Sequence, residues 1–62
     1  MTTEERWIND MAYKILLPGR HEKEVERLES LNERESAKYV KVLGPQWLAR
    51  VLARVAELNA KG

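Results

Sequence analysis

Residue types able to act in catalysis are few in this chain, and they lie in polar sequence. His21 is the only histidine, and Glu22 and Glu24 follow close behind it. A general base needs an orienting partner and a pocket that excludes water, which a polar segment near a helix start does not supply. Ser30 and Ser36 also lie outside any strand–turn–helix pattern of a nucleophile elbow. We therefore expect no catalytic residue and predict that the chain is not an enzyme.

Metal and cofactor sites are not predicted either. The chain has no cysteine, which excludes disulfides and thiolate zinc sites. The glutamates at 22, 24, 26 and 29 lack the short acids and the central glycine of a calcium loop. The three glycines are scattered rather than grouped in a phosphate-binding loop. We expect no metal and no cofactor, and we interpret the glutamates as a solvated helix face.

The most informative pattern lies in the last third of the chain, in the segment 47–61. At about 100° per residue, its charges fall in one narrow sector: Arg50, Arg54, Glu57 and Lys61. Beside that sector runs a row of large apolar residues, Trp47, Val51, Val55 and Leu58, widened by Leu48 and Leu52. The remaining side is a row of alanines: Ala49, Ala53, Ala56 and Ala60. A helix that is apolar on so many sides is normally buried on several of them.

The rest of the chain is too short to cover both apolar sides of this helix. Small domains without disulfides or metals usually gain stability by oligomerising. We therefore predict a homodimer whose interface contains Ala49, Leu52, Ala53, Ala56 and Ala60. The alternative is that the alanine row packs against the first helix within one subunit, because alanine is also simply the best helix former.

The signals for helix starts and stops predict several short helices. Thr2 and Glu5 form a capping box that opens the first helix, and Pro18–Gly19 ends it. Residues 22–43 read either as one helix or as two, and we favour a break in which Asn32 caps the second helix. Gly44 and Pro45 end that segment.

The predicted fold is all-α. With the break, the helix after Asn32 has a predicted apolar face of Ala37, Val40 and Leu43. The last helix is predicted over about Pro45–Asn59. Residues 1–62 are expected to form a single small helical domain, with three or four short helices in a bundle or hairpin completed by homodimerisation.

Charge and hydropathy indicate the expected location of the protein in the cell. The net charge is +1, but residues 21–37 hold six glutamates against three bases, and residues 38–62 hold five bases against one glutamate. The longest apolar run, 15–17, is far too short to span a membrane. No signal-peptide pattern opens the chain. We expect a cytoplasmic protein that has no contact with membranes.

Binding of another macromolecule is the predicted function. Tryptophan, tyrosine and arginine are over-represented among interface hot spots, and the candidate contact residues are Tyr13, Tyr39, Trp47, Arg50 and Arg54. We expect a homodimeric regulator, adaptor or inhibitor that docks on a larger protein and blocks or recruits it. The alternative is a helix-turn-helix-like DNA-binding regulator with residues 46–54 as its reading helix. That motif usually has a small and an apolar residue where this chain has Val40 and Arg50.

Overall fold

Four helices follow one another along the chain. The computed structural model describes residues 2–61, apart from the side chain of Lys61. The helices are α1 (Thr3–Ile15), α2 (His21–Glu29), α3 (Glu33–Leu43) and α4 (Trp47–Lys61). No strand occurs among the described residues, so the all-α prediction is confirmed.

The first helix begins and ends at the predicted signals. The Thr2 hydroxyl accepts a hydrogen bond from the Glu5 backbone N–H at 3.2 Å, which satisfies one of the N–H groups that a helix start leaves open. After α1, the Arg20 N–H donates to the Leu17 carbonyl at 3.0 Å across Pro18 and Gly19. Gly19 has a φ of +75°, as the third residue of a type II turn requires.

The break in the middle of the chain lies at Asn32, as favoured from the sequence. The Asn32 side chain accepts a hydrogen bond from the Glu35 backbone N–H at 2.8 Å. Its own ψ of 173° is extended, so the backbone leaves the direction of α2 before α3 begins. Residues 22–43 therefore contain two helices rather than one.

The turn between α3 and α4 shifts the start of the last helix. Gly44, with a φ of +96°, ends α3, and its N–H donates to the Val40 carbonyl at 2.8 Å. The Gly44 carbonyl accepts from the Trp47 N–H at 3.1 Å, so Pro45 and Gln46 belong to a turn. Helix α4 therefore begins at Trp47, two residues later than predicted, and extends to Lys61.

The core forms chiefly between α1 and α4. Trp47, Val51 and Val55 of α4 are buried, which confirms that the row of large residues faces inward. The remaining buried side chains are Ile8, Met11, Ala12 and Ile15 of α1, Leu28 of α2 and Leu43 of α3. Leu48 and Leu58 are only partly buried and pack against this core.

The predicted face of α3 is wrong in two of its three residues. Leu43 is buried as expected, but Ala37 is exposed and the Val40 side chain is 40% exposed. Tyr39 is the reason, because its ring lies against Trp7 and Trp47 and sets the rotation of the helix. The larger aromatic contact outweighs what an alanine and a valine would gain by burial.

The packed helices make a flat molecule. Its principal extents are 33 × 27 × 14 Å, and its radius of gyration is 11.3 Å. A domain of this length normally has a radius of gyration of about 10.6 Å. Among residues 2–61, no helix is both long and apolar enough to cross a bilayer.

Candidate interaction surface

The side of α4 that points away from the core is exposed and carries no charge. It consists of Ala49, Leu52, Ala53, Ala56 and Ala60, called here the outer face of α4. All five residues are exposed, and Leu52 is 36% exposed. At about 100° per residue, this face is centred about 150° around the helix from the buried row. Helix α1 therefore does not cover the alanine row, and the whole predicted dimer interface lies at the surface of the single chain.

An open groove borders the outer face on the side of α1. Its volume is about 450 Å³. The groove is lined by Glu5, Ile8, Asn9, Arg50, Ala53, Arg54 and Glu57. Five of these seven residues carry charged or amide groups, and Ile8 and Ala53 are the apolar ones. The groove therefore adjoins both the outer face, through Ala53, and the contact between α1 and α4, through Asn9 and Arg54.

Both arginines of α4 are held by groups of their own chain. Arg54 Nε donates to Asn9 Oδ1 at 2.9 Å, and Arg54 Nη1 donates to Glu57 Oε2 at 2.9 Å. Arg50 Nη1 donates to the Leu43 carbonyl at 2.7 Å, in the last turn of α3. That carbonyl is one of those that a helix end leaves without an intrahelical partner.

Through these contacts the two arginines join α4 to α1 and α3. Arg50 Nη2 also lies 3.6 Å from Glu4 Oε2, so Arg50 reaches α1 as well as α3. Arg50 contacts Glu4 and Arg54 contacts Asn9, so the later residue of α4 meets the later residue of α1. The two helices therefore run in the same direction where these contacts form. The internal bonds fix the direction of both guanidinium groups, so a phosphate or a partner carboxylate would have to approach the N–H groups that these bonds leave over.

The aromatic candidates differ widely in exposure. Tyr39 stacks on Trp47, with ring centroids 4.7 Å apart and planes 26° apart. Trp7 meets Tyr39 edge to face at a centroid distance of 5.8 Å. Trp47 is only 6% exposed and belongs to the core, whereas Tyr13 is 58% exposed. Tyr13 thus offers an aromatic ring for direct contact, and Trp47 offers almost no surface.

Some residues of these surfaces were not singled out from the sequence. Asn9 and Glu4 hold the arginines of α4, yet no local pattern marks them, because their partners lie more than 40 residues away along the chain. Lys14 and Lys38 lie beside Trp7 and Tyr39 in a second cleft, between α1 and α3. Basic residues close to aromatic ones in both helices were the available signal for this cleft. Among residues 2–61, no group of three metal-binding side chains comes together.

Comparison of the chain with protein-family models, with curated proteins and with solved structures finds no match. The surfaces described above are therefore the basis for proposing a function.

Proposed function

We propose that this chain is a small interaction protein that pairs with a second copy through the outer face of α4 and binds a larger protein as a dimer. The observation that supports the proposal most directly is the exposure of all five residues of that face. An apolar helix face without charge is costly to leave in water, and burying it contributes about 25 cal/mol per Å² of apolar surface. Alanine side chains also allow two helix backbones to approach closely.

The amount of exposed surface supports pairing as well. The chain has 4728 Å² of accessible surface, whereas a folded monomer of its 7.2 kDa mass has about 4100 Å². The excess is about 600 Å², about three quarters of the roughly 800 Å² that each partner contributes to a standard interface. A symmetric dimer is the simplest way to remove it, because one face then serves both subunits.

Dimerisation is tested by light scattering on the wild type and on a matched pair of alanine variants. Ala56 lies on the outer face of α4, and Ala37 is an exposed alanine of α3. We expect the wild type and Ala37→Glu to be dimers at micromolar concentration and Ala56→Glu to be a monomer, because pairing would bury its carboxylate without a partner. A wild type that is monomeric at all concentrations, or an Ala56→Glu variant that stays dimeric, contradicts the proposed interface.

Thermal unfolding distinguishes lost pairing from lost folding. A dimer gains stability by mass action, so the wild-type Tm should rise with protein concentration. For Ala56→Glu we expect helical circular dichroism at low temperature and a Tm that does not depend on concentration. A wild-type Tm that is the same across a hundredfold concentration range would contradict the dimer.

For the larger partner, we propose a cytoplasmic protein that is blocked or recruited when the dimer docks on it. The exposed ring of Tyr13 and the acidic surface of α2 are the groups we expect it to contact. Capture from cell extract with the wild type and with Tyr13→Ala tests this proposal. We expect one dominant protein whose recovery falls in the variant, and equal recovery with both baits would remove Tyr13 from the contact surface.

DNA binding through α4 is the second candidate, and one observation favours it. Helices α3 and α4 are joined by a three-residue turn, which is the outline of a helix-turn-helix. Against it, internal hydrogen bonds hold the Arg50 and Arg54 side chains against the rest of the chain, and only the N–H groups left over would reach DNA. A mobility shift on duplex DNA that weakens steeply with salt, and that disappears in an Arg50→Glu, Arg54→Glu double variant whose helical circular dichroism is retained, would support it. Absence of any shift at low salt would exclude it.

A further inference from the structure

A second surface, distinct from the outer face of α4, lies in the cleft between α1 and α3. The cleft has a volume of about 210 Å³ and is lined by Trp7, Asp10, Met11, Lys14, Lys38 and Tyr39. Pockets for drug-sized ligands are usually about 300–1,000 Å³, so this cleft admits a single ring with its substituents. It shares no residue with the outer face of α4 or with the groove beside it.

The wall of the cleft combines aromatic surface with free charge. Trp7 and Tyr39 are half-buried, so their rings are fixed in place yet reach solvent. Lys14 and Lys38 are exposed at the rim. The three ion pairs found among the described residues involve neither of these lysines nor Asp10. The charged groups of the cleft are thus not held in ion pairs, unlike Arg50 and Arg54 of α4.

The position of Lys38 suggests how a ligand would enter. Its Nζ lies 5.2 Å from the centroid of the Tyr39 ring, a cation–π contact. The ring also stacks on Trp47, so Lys38 takes the place that an incoming ring would need. Because Lys38 is a long exposed side chain, it can move aside and bring its charge to an anionic group of the same ligand. Arg34 and Lys41 lie on the same exposed side of α3 and extend this positive surface.

From this arrangement we propose that the α1–α3 cleft binds a nucleotide unit, with the base against Trp7 and Tyr39 and the phosphate between Lys14 and Lys38. Aromatic platforms flanked by basic side chains are the usual means of binding single-stranded nucleic acid. Asp10 fits the same ligand, because its carboxylate accepts a hydrogen bond from an amino group such as that of cytosine. A ligand with a planar ring, an N–H donor and a phosphate meets all three features of the wall. The ligand is either a free nucleotide or a nucleotide within a single strand.

Fluorescence titration of the full chain tests the proposal and separates the two sources. The probes are cytidine monophosphate and an oligodeoxycytidylate of about 12 nucleotides, within the usual range of single-strand site sizes. We expect the oligonucleotide to quench the fluorescence of Trp7, which reaches solvent in the cleft, whereas Trp47 is only 6% exposed. Binding of the mononucleotide as tight as that of the oligonucleotide would identify a free nucleotide as the ligand. No binding of either probe at millimolar concentration overturns the proposal.

A matched pair of charge variants locates the site. Lys14→Gln with Lys38→Gln removes two positive charges from the cleft, and Arg20→Gln with Lys23→Gln removes two exposed positive charges around the start of α2. We expect the first pair to weaken oligonucleotide binding at least about tenfold and to lower the slope of log affinity against log salt by about 0.7, since the two lysines hold one phosphate and each phosphate contact on a single strand contributes about 0.7. The second pair should leave both quantities nearly unchanged.

The remaining outcomes overturn the proposal in different ways. Equal loss in both double variants would mean non-specific attraction to positive charge. Unchanged binding in the Lys14, Lys38 variant would place the nucleic acid elsewhere on the chain. Polyglutamate that competes as well as the oligonucleotide would identify an acidic peptide as the occupant instead. None of these results depends on dimerisation, because the cleft shares no residue with the outer face of α4. The same titrations on Ala56→Glu, the variant that we expect to be monomeric, should therefore give the same result.

Discussion

The two sides of α4 are built from different residues and face different surroundings. The inner side presents Trp47, Val51 and Val55, all buried against the rest of the chain. The outer face presents four alanines and Leu52, all exposed. Large side chains gain most from burial and therefore decide how a small chain packs on itself. Small side chains leave a smooth surface that only another backbone at close range can cover well.

The largest expected effect comes from placing the same charge on each side. Val51 is fully buried, so Val51→Asp puts a carboxylate in the core without a partner and should abolish folding. Ala56→Asp, on the outer face, should stay helical and lose only the dimer. Circular dichroism measures the helix content of both variants, and light scattering measures their oligomeric state. Equal loss of helix in both variants would contradict the expected difference between the two sides of α4.

A smaller effect is expected when only packing is removed from the inner side. We expect Val55→Ala to lower the free energy of unfolding by about 2 kcal/mol, because it leaves a cavity between α1 and α4. That is a large share of the roughly 3–9 kcal/mol available to a domain of this length. Urea unfolding measures the change. A loss below about 0.5 kcal/mol would show that the core closes around the smaller side chain.

At the border between the two sides, Arg54 offers a test of the polar contact. We expect Arg54→Ala to cost about 1 kcal/mol, because the 2.9 Å bond from its Nε to Asn9 Oδ1 joins α4 to α1. Glu57→Ala serves as the control, since it removes only the exposed ion pair with Arg54 and should cost less than about 0.5 kcal/mol. Equal losses would mean that the bond to Asn9 contributes nothing to stability.

The smallest expected effect on the fold lies on the outer face itself. We expect Ala49→Ser to change the stability of the monomer by no more than about 0.5 kcal/mol, as for most surface substitutions. Its hydroxyl should nevertheless weaken the dimer measurably by placing a polar group in the interface. Sedimentation equilibrium measures the dimer dissociation constant, which should be unchanged in the exposed control Ala37→Ser.

Local signals in the sequence were enough to predict most of the backbone. The caps at Thr2 and Asn32, the turn at Pro18–Gly19 and the helix end at Gly44 depend on residues within a few positions of each other. The row of large apolar residues in α4 could also be predicted, because these residues recur at helical spacing. Such features need no knowledge of which helices are neighbours.

Features that depend on neighbouring helices were not predictable in this way. Ala37 and Val40 looked suited to burial, but the contacts of Tyr39 with two tryptophans turn α3 differently. Trp47 was a candidate contact residue for a partner and instead lies in the core. The partners of Arg50 and Arg54 on α1, Glu4 and Asn9, are distant in sequence, so the role of the two arginines in joining the helices could not be seen before α1 lay beside α4. The outer face was predictable as a pattern, and what covers it stays a prediction.

The thinness of the molecule has a consequence for its motions. Only 14 Å separates its broad sides, and Ile15 and Val51 are the largest fully buried side chains among the described residues. Amide hydrogens close to those two positions should exchange with solvent deuterium most slowly, because they are released only when the chain opens as a whole. Elsewhere, brief local openings are enough for exchange, so the range of exchange rates between the fastest and slowest amides should be narrow for a single chain. In a dimer, that range should widen, because the second chain would slow exchange along the part of α4 that it covers.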